Sequence, residues 1–175
     1  MITKRIPRKK SLNIINNFFF EDELKIIDDY LDDLFKDNNV LFPASKESLY
    51  IKGDMFKHHV SKNFDDEIYD IIINKLKTSF PTLVPETIYL HWGLGGHIDW
   101  HIDNGQSAAV SIYLTKDWTK EDGGYFIYEK ENNDLEIILP KMNMCIFQTG
   151  AIPHCTTPTY TPNKIRKSIQ VFFKK

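Results

Sequence analysis

The sequence predicts an α+β fold, mainly β, with two helices first and a sandwich or barrel of short strands after them. Three observations carry this. Apolar residues recur at helical spacing in two stretches before residue 80. From Pro85 onward, short runs of alternating or apolar residues follow one another between turn residues. The length of 175 residues, with 42% hydrophobic and 26% charged residues, suits one domain with a sizeable core. The expected organisation is a basic tail over 1–12, helical support with a candidate lid over 13–80, and a β core over 86–175. Helices ahead of strands place the helices on one outer face of the sheet.

Taken in order, residues 11–20 predict a short strand leading into a helix. From Glu21 to Asp37, Ile26, Ile27, Tyr30, Leu31, Leu34 and Phe35 make an apolar stripe, and Asp37-Asn38-Asn39 ends it. Residues 40–60 read as irregular, with Leu49 to Ile51 as the best strand candidate. A second helix is expected over Phe64 to Thr78, capped by Asn63, with Phe64, Ile68, Ile71, Ile72 and Leu76 inward. Pro81 and Pro85 punctuate the chain. Strands are expected over Thr87–Trp92, His97–Asp103, Ala108–Thr115, Gly124–Glu129, Leu135–Leu139, Cys145–Gln148 and Ile165–Phe173.

The net charge of -2 argues against an obligate nucleic-acid binder. Lys4, Arg5, Arg8, Lys9 and Lys10 read as a solvated tail, and the Asn-broken stretch after them is not a signal peptide. No apolar run approaches a membrane span. Two cysteines, Cys145 and Cys155, make no disulfide framework, so a reducing, cytoplasmic setting is expected.

The chemistry concentrates in His101-Ile102-Asp103 and Ile152-Pro153-His154. Side chains two apart on a strand share a face, so His101 and Asp103 can both project inward. A third ligand from a distant strand, His154, would complete the two-histidine, one-carboxylate set that leaves one side of an iron(II) open for O₂. His97-Ile98-Asp99 has the same pattern and phase, so parity does not choose between the pairs. The turn Asp103-Asn104-Gly105 puts the second pair at the strand end and favours it. A lone His-x-Asp is otherwise a surface strand with solvated polar residues. His154 lies in a Pro-bounded loop, and without the other ligands it is an ordinary loop histidine. Cys155 has no zinc-spaced partners and is expected outside the ligand set.

In Ile165 to Val171, Arg166, Ser168 and Gln170 alternate with Ile165, Lys167, Ile169 and Val171. If the first set faces inward, Arg166 is a buried cation that needs an anion. A bidentate carboxylate with help from the Ser168 hydroxyl is one solution, and an internal salt bridge is the other. Val110, Ile112 and Leu114 share one face, leaving Tyr113 on the opposite one, either against the same carboxylate or as a core aromatic.

These segments, with Ile112-Tyr-Leu-Thr115, Gly123-Gly-Tyr-Phe126, Pro140 through Phe147 and Arg166-x-x-Ile-x-Val-Phe172, resemble the iron(II)- and 2-oxoglutarate-dependent dioxygenases, in particular the prolyl-4-hydroxylase-like branch. The resemblance runs from Tyr89 to Phe173. It implies a double-stranded β-helix, or jelly roll, with the N-terminal helices packed on the major sheet. It implies Fe(II) on His101, Asp103 and His154, and 2-oxoglutarate on Arg166 with Tyr113 and Ser168 beside it. The implied activity is hydroxylation of an unactivated C–H bond with O₂, releasing succinate and CO₂. Where the family often has a tyrosine shortly before the first metal histidine, this chain has His91-Trp92-Gly93.

A second reading keeps the metal but not the activity: a β-barrel module that uses it for stability or small-molecule sensing. An inward Arg166 separates the two. A third reading is a peptide-binding sheet without metal. The substrate class implied is an amino acid, a peptidyl residue or a small natural product. Candidate substrate residues are His91, Trp92 and His97. Residues 41–60, with Phe56, His58 and His59, form the candidate lid. Trp100 is a further candidate to line the pocket, but its parity, opposite to His101, favours packing in the core.

Overall fold

The computed structural model describes residues 10–36, 42–43, 58–61, 64–93, 95–103, 105–161 and 164–174, with no side-chain description at 42–43, 58–61 and 91–93. Two helices, α1 (Glu21–Lys36) and α2 (Asp66–Ser79), accompany eleven strands. The strands are β1 (Ser11–Ile15), β2 (Phe42–Pro43), β3 (His58–Ser61), β4 (Pro85–Gly93), β5 (Ile98–His101), β6 (Ala108–Tyr113), β7 (Phe126–Glu129), β8 (Leu135–Ile138), β9 (Met144–Thr149), β10 (His154–Thr156) and β11 (Arg166–Phe173). They form a seven-stranded sheet in the order β1-β9-β6-β11-β4-β3-β2 and a four-stranded sheet in the order β5-β10-β7-β8. All pairings are antiparallel. This is the double-stranded β-helix.

Strand alternation sorts the residues of the major sheet. Val110, Ile112, Cys145, Ile169, Val171 and Phe173 pack outward against Ile27 and Leu31 of α1 and Ile68, Ile72 and Leu76 of α2. Tyr113, Met144 and Ile146 point the other way, into a smaller cluster with Phe126 and Ile138 of the minor sheet. Each fully buried Ile or Leu contributes roughly 1.5–3 kcal/mol of hydrophobic stabilisation. The helix-side core is thus the main anchor of the fold. Beyond that cluster, polar side chains are also buried, among them His154 of β10, Gln148 of β9 and Arg166 and Ser168 of β11.

Acids in the first turn of α1, Glu21, Asp22 and Glu23, suit its N-terminal dipole, and the Phe20 amide donates to Glu23 Oε2 at 2.9 Å. On its sheet-facing side Asp28 is buried and pairs with Lys167 of β11 and, at 2.9 Å, with Lys116. Burial alone would raise the Asp28 pKa, but these two lysines together hold it below the usual value.

Several boundaries differ from the sequence reading. The second helix starts at Asp66, and Asp65 caps it by accepting from the Glu67 amide. The expected cap, Asn63, lies outside the described residues. Strand β1 (Ser11–Ile15) is the short strand expected within 11–20, and its pairing with β9 takes Ser11 and Leu12 out of the stretch read as tail. Most of the candidate lid, Phe56 included, lies outside the described residues. The backbone of His58 and His59 belongs to β3, which pairs with β4. Trp100 is 48% exposed, so the core packing expected for it is wrong. It sits on β5, an edge strand of the minor sheet, whose outer face has no covering layer among the described residues.

Candidate metal and anion site

Strand β5 ends at His101, two residues before the expected limit. Asp103 follows two residues on, outside any strand and ahead of Gly105, whose φ of 114° favours glycine. His154 does not lie in a loop. It opens β10, inserted between β5 and β7, with His101 and Tyr128 as its register partners. The prolines suggested a loop, but Pro153 stands just ahead of the strand, where it removes no ladder donor.

This topology brings His101, Asp103 and His154 together, with one donor atom from each lying within 4.8 Å of the others. His101 Nε2 stands 3.7 Å from Asp103 Oδ1, and His154 Nε2 stands 3.7 Å from Asp103 Oδ2. For metal–ligand bonds of about 2.1 Å, adjacent octahedral donors stand about 3 Å apart, so a modest contraction would suit a cation.

The histidines are already in the right tautomer. His101 Nδ1 lies 2.8 Å from the Asp99 carbonyl, and His154 Nδ1 lies 2.9 Å from the Ile152 carbonyl. A carbonyl only accepts, so each Nδ1 carries the hydrogen and each Nε2 presents a lone pair. Burial lowers the His154 pKa, with Asp103 opposing and His101 adding to the shift. Phe126 stacks on the His154 ring at 5.1 Å and fixes its plane.

The competing pair is elsewhere in character. His97 Nε2 meets Asp99 Oδ1 at 3.2 Å in a solvent-exposed contact, and neither joins the trio. The side chains of His91 and Trp92 lie outside the described part. Cys145 is buried in the helix-side core, where burial pushes its thiol up to about 12. Cys155 is buried as well and is not in the trio.

Arg166 is 3% exposed and lies on the inter-sheet face. Its Nη1 donates to the Gly124 carbonyl at 2.8 Å, while its buried Nε has no partner. Among the described residues no carboxylate pairs with it. Burial lowers its pKa against the opposing effect of Tyr113, yet a guanidinium stays charged. An unsatisfied buried polar group costs roughly 1–3 kcal/mol and more when charged, a cost that an incoming anion would offset. The Tyr113 ring lies 6.0 Å from the guanidinium carbon. Ser168 follows two residues on, accepting from Gln170 Nε2 at 3.1 Å. Lys167 points oppositely, to Asp28 and Asp32 of α1.

Three site features escaped the sequence reading. Gly124 has φ 64°, and a Cβ there would lie 2.9 Å from Arg166 Nη1. Asp122 binds the loops on either side of that glycine: it accepts from the Thr119 amide at 2.7 Å, Thr161 Oγ1 at 2.6 Å and Lys164 Nζ at 2.7 Å. Gln148, on the inward face of β9, donates to Asp103 Oδ2 at 2.7 Å. Its signal in the sequence is a lone amide at the end of the apolar run Met144 to Phe147.

The donor set, two imidazoles and one carboxylate, is chemically right for iron(II). The model of the 2OG-Fe(II) oxygenase superfamily matches residues 87–174. No curated protein sequence matches the chain at a significant level. Among solved structures, a Pseudomonas putida prolyl-4-hydroxylase is similar at 14% identity and TM-score 0.66, covering 94% of this chain and 92% of that one. A Trichoplax adhaerens prolyl hydroxylase, in complex with a hypoxia inducible factor oxygen degradation domain peptide fragment, is similar at 17% identity and TM-score 0.70, covering 93% and 83%. HygX from Streptomyces hygroscopicus, solved with nickel and 2-oxoglutarate bound, is similar at 10% identity and TM-score 0.64, covering 93% and 82%. These structures share the fold, and the family model spans every strand from β5 to β11 together with most of β4. The chain therefore belongs to the 2OG-Fe(II) oxygenase superfamily.

Proposed function

We propose that this oxygenase holds Fe(II) on His101, Asp103 and His154, anchors the distal carboxylate of 2-oxoglutarate on Arg166, and hydroxylates an unactivated C–H bond. The carrying observation is the buried Arg166, without a carboxylate partner among the described residues, on the inter-sheet side of the major sheet, together with the trio, whose two histidines lie on the minor sheet. A metal site kept only for stability or sensing has no need of that cation. When bound, Fe(II), 2-oxoglutarate and O₂ supply oxidative decarboxylation, which releases succinate and CO₂ and inserts one oxygen atom into the substrate.

The chain's residues bind, orient and exclude water. His101 and His154 present Nε2 lone pairs because their Nδ1 hydrogens are tied to backbone carbonyls. Asp103 supplies the one negative ligand. Gly124 aims the guanidinium by accepting from Nη1, leaving Nε and the free edge for a carboxylate. Tyr113 and Ser168 stand beside that edge. Tyr113, Phe126 and Met144 make the apolar wall that keeps water from the anchored co-substrate.

The substrate reading is an amino acid, a peptidyl residue or a small natural product. The peptide held by the Trichoplax adhaerens enzyme supports including peptides. His91, Trp92 and His97 remain the candidate substrate residues, and residues 86–175 the catalytic core, with 13–80 as support. No nucleic-acid partner is proposed. Among the described residues no helix is long and apolar enough to cross a membrane. Two buried free thiols favour a reducing, cytoplasmic setting. The test is a screen of free amino acids and peptides for stimulated succinate formation, followed by ¹⁸O₂ labelling of the product. Labelled hydroxyl is expected. A chlorinated product, or no stimulation by any class, would contradict the reading.

A further inference from the structure

Asp103 is the least supported of the three ligands. His101 lies in β5 and His154 in β10, each fixed by ladder hydrogen bonds. Asp103 sits two residues beyond the end of β5, outside any strand. Its carboxylate can rotate unless a side chain holds it. Gln148 is the side chain that does so.

Gln148 is 6% exposed, on β9 between β1 and β6 of the major sheet, with Leu12 and Ala109 as register partners on its two sides. Its Nε2 donates to Asp103 Oδ2 at 2.7 Å. Its Oε1 is buried and has no partner among the described residues. For stability alone this is a poor residue: a methionine of similar length would fill the space without an unsatisfied acceptor. The amide makes sense through its bond to the carboxylate, a charge-assisted one.

We propose that Gln148 is a positioning residue for the metal centre. By holding Oδ2, 3.7 Å from His154 Nε2, it fixes the carboxylate with Oδ1 3.7 Å from His101 Nε2, and so presents the metal with a preset carboxylate. The inference rests on the reading that His101, Asp103 and His154 hold Fe(II). Outer hydrogen-bond partners of metal ligands set affinity in this way, typically by 10- to 100-fold.

The test is Gln148→Met, with Gln148→Asn as a second variant that keeps the amide but cannot reach Asp103. Mn(II) and anaerobic Fe(II) affinities are measured by competition with a chelator. Both variants should bind the metal roughly 10- to 100-fold more weakly. The metal-free Gln148→Met protein should melt no lower than wild type, and at saturating Mn(II) its 2-oxoglutarate affinity should be unchanged. Metal affinity equal to wild type in both variants would overturn the proposal. So would a joint fall in metal-free stability, metal affinity and 2-oxoglutarate affinity, which marks a merely structural residue. His101→Ala is the separate control: if it kept full Mn(II) affinity, the ligand assignment itself would fail, whatever Gln148→Met did.

Discussion

Arg166 and Lys167 are neighbours on one strand, and the structure predicts opposite consequences for replacing them with methionine. Arg166 is a buried cation with one carbonyl partner, an orphaned Nε and no described carboxylate. Removing it relieves an uncompensated charge, so Arg166→Met should leave the ligand-free protein at least as stable as wild type. The same change deletes the partner of a buried co-substrate carboxylate, a loss of roughly 2–5 kcal/mol. At about 1.4 kcal/mol per tenfold, that is about 30- to 5,000-fold in 2-oxoglutarate affinity. Lys167 instead pairs with the buried Asp28 and the exposed Asp32 of α1. Lys167→Met leaves Asp28 with Lys116 alone, so it should lower stability and leave 2-oxoglutarate affinity unchanged.

Thermal melting with and without 2-oxoglutarate, at saturating Mn(II), reads both effects. Ligand at 100 times Kd stabilises wild type by about 2.7 kcal/mol, or about 5–10 °C for a chain of this size. If affinity falls 100-fold, the same concentration gives about 0.4 kcal/mol, close to no shift. Arg166→Met should therefore melt at or above the ligand-free wild type and barely respond to ligand. Lys167→Met should melt lower and respond fully. An undiminished ligand shift in Arg166→Met, or equal losses in the two variants, would refute the anchor assignment.

Three other outcomes follow from single contacts. His97→Ala should keep full Fe(II) binding by metal analysis, since His97 pairs only with Asp99 at the surface, whereas His154→Ala should lose it. Gly124→Ala should raise the 2-oxoglutarate requirement with little change in Mn(II) affinity, because the new Cβ would meet Arg166 Nη1 at 2.9 Å and φ is 64°. Burial alone would raise the Asp122 pKa, but hydrogen bonds from Lys164, Thr161 and Thr119 outweigh it and hold the carboxyl below the usual range. A depressed folded pKa gives stability that is present above the unfolded value of 3.8 and lost as pH falls below it. Asp122→Asn should thus be less stable near neutral pH and lose less on acidification, as read by denaturant unfolding.

The parts of the molecule legible in the sequence are those set by periodicity. The stripes of α1 and α2, and the alternation that puts Arg166 and Tyr113 on one face and Val110, Ile169 and Lys167 on the other, follow from periods of 3.6 and 2. Spacing also suggested the His-x-Asp pair. What alternation could not do was choose between His97 with Asp99 and His101 with Asp103, because all four share a phase. That choice depends on where β10 docks, a pairing between residues far apart in the chain. The strand at His154 was hidden by prolines on either side, and three residues are too few to show a pattern. Gln148 and Gly124 were missed because their roles exist only across the sheets, in a 2.7 Å contact to Asp103 and a 2.8 Å contact to Arg166. Trp100 was misplaced because a bulky apolar residue on an edge strand has no covering layer to enter.

The most direct measurement is a crystal structure of the protein with Mn(II) and 2-oxoglutarate, with the metal located by its anomalous scattering. The account predicts one metal peak, bound by His101 Nε2, one Asp103 oxygen and His154 Nε2, with the distal 2-oxoglutarate carboxylate on the Arg166 guanidinium. A peak at His97 and Asp99, no ordered metal, or a carboxylate bound away from Arg166 would contradict it.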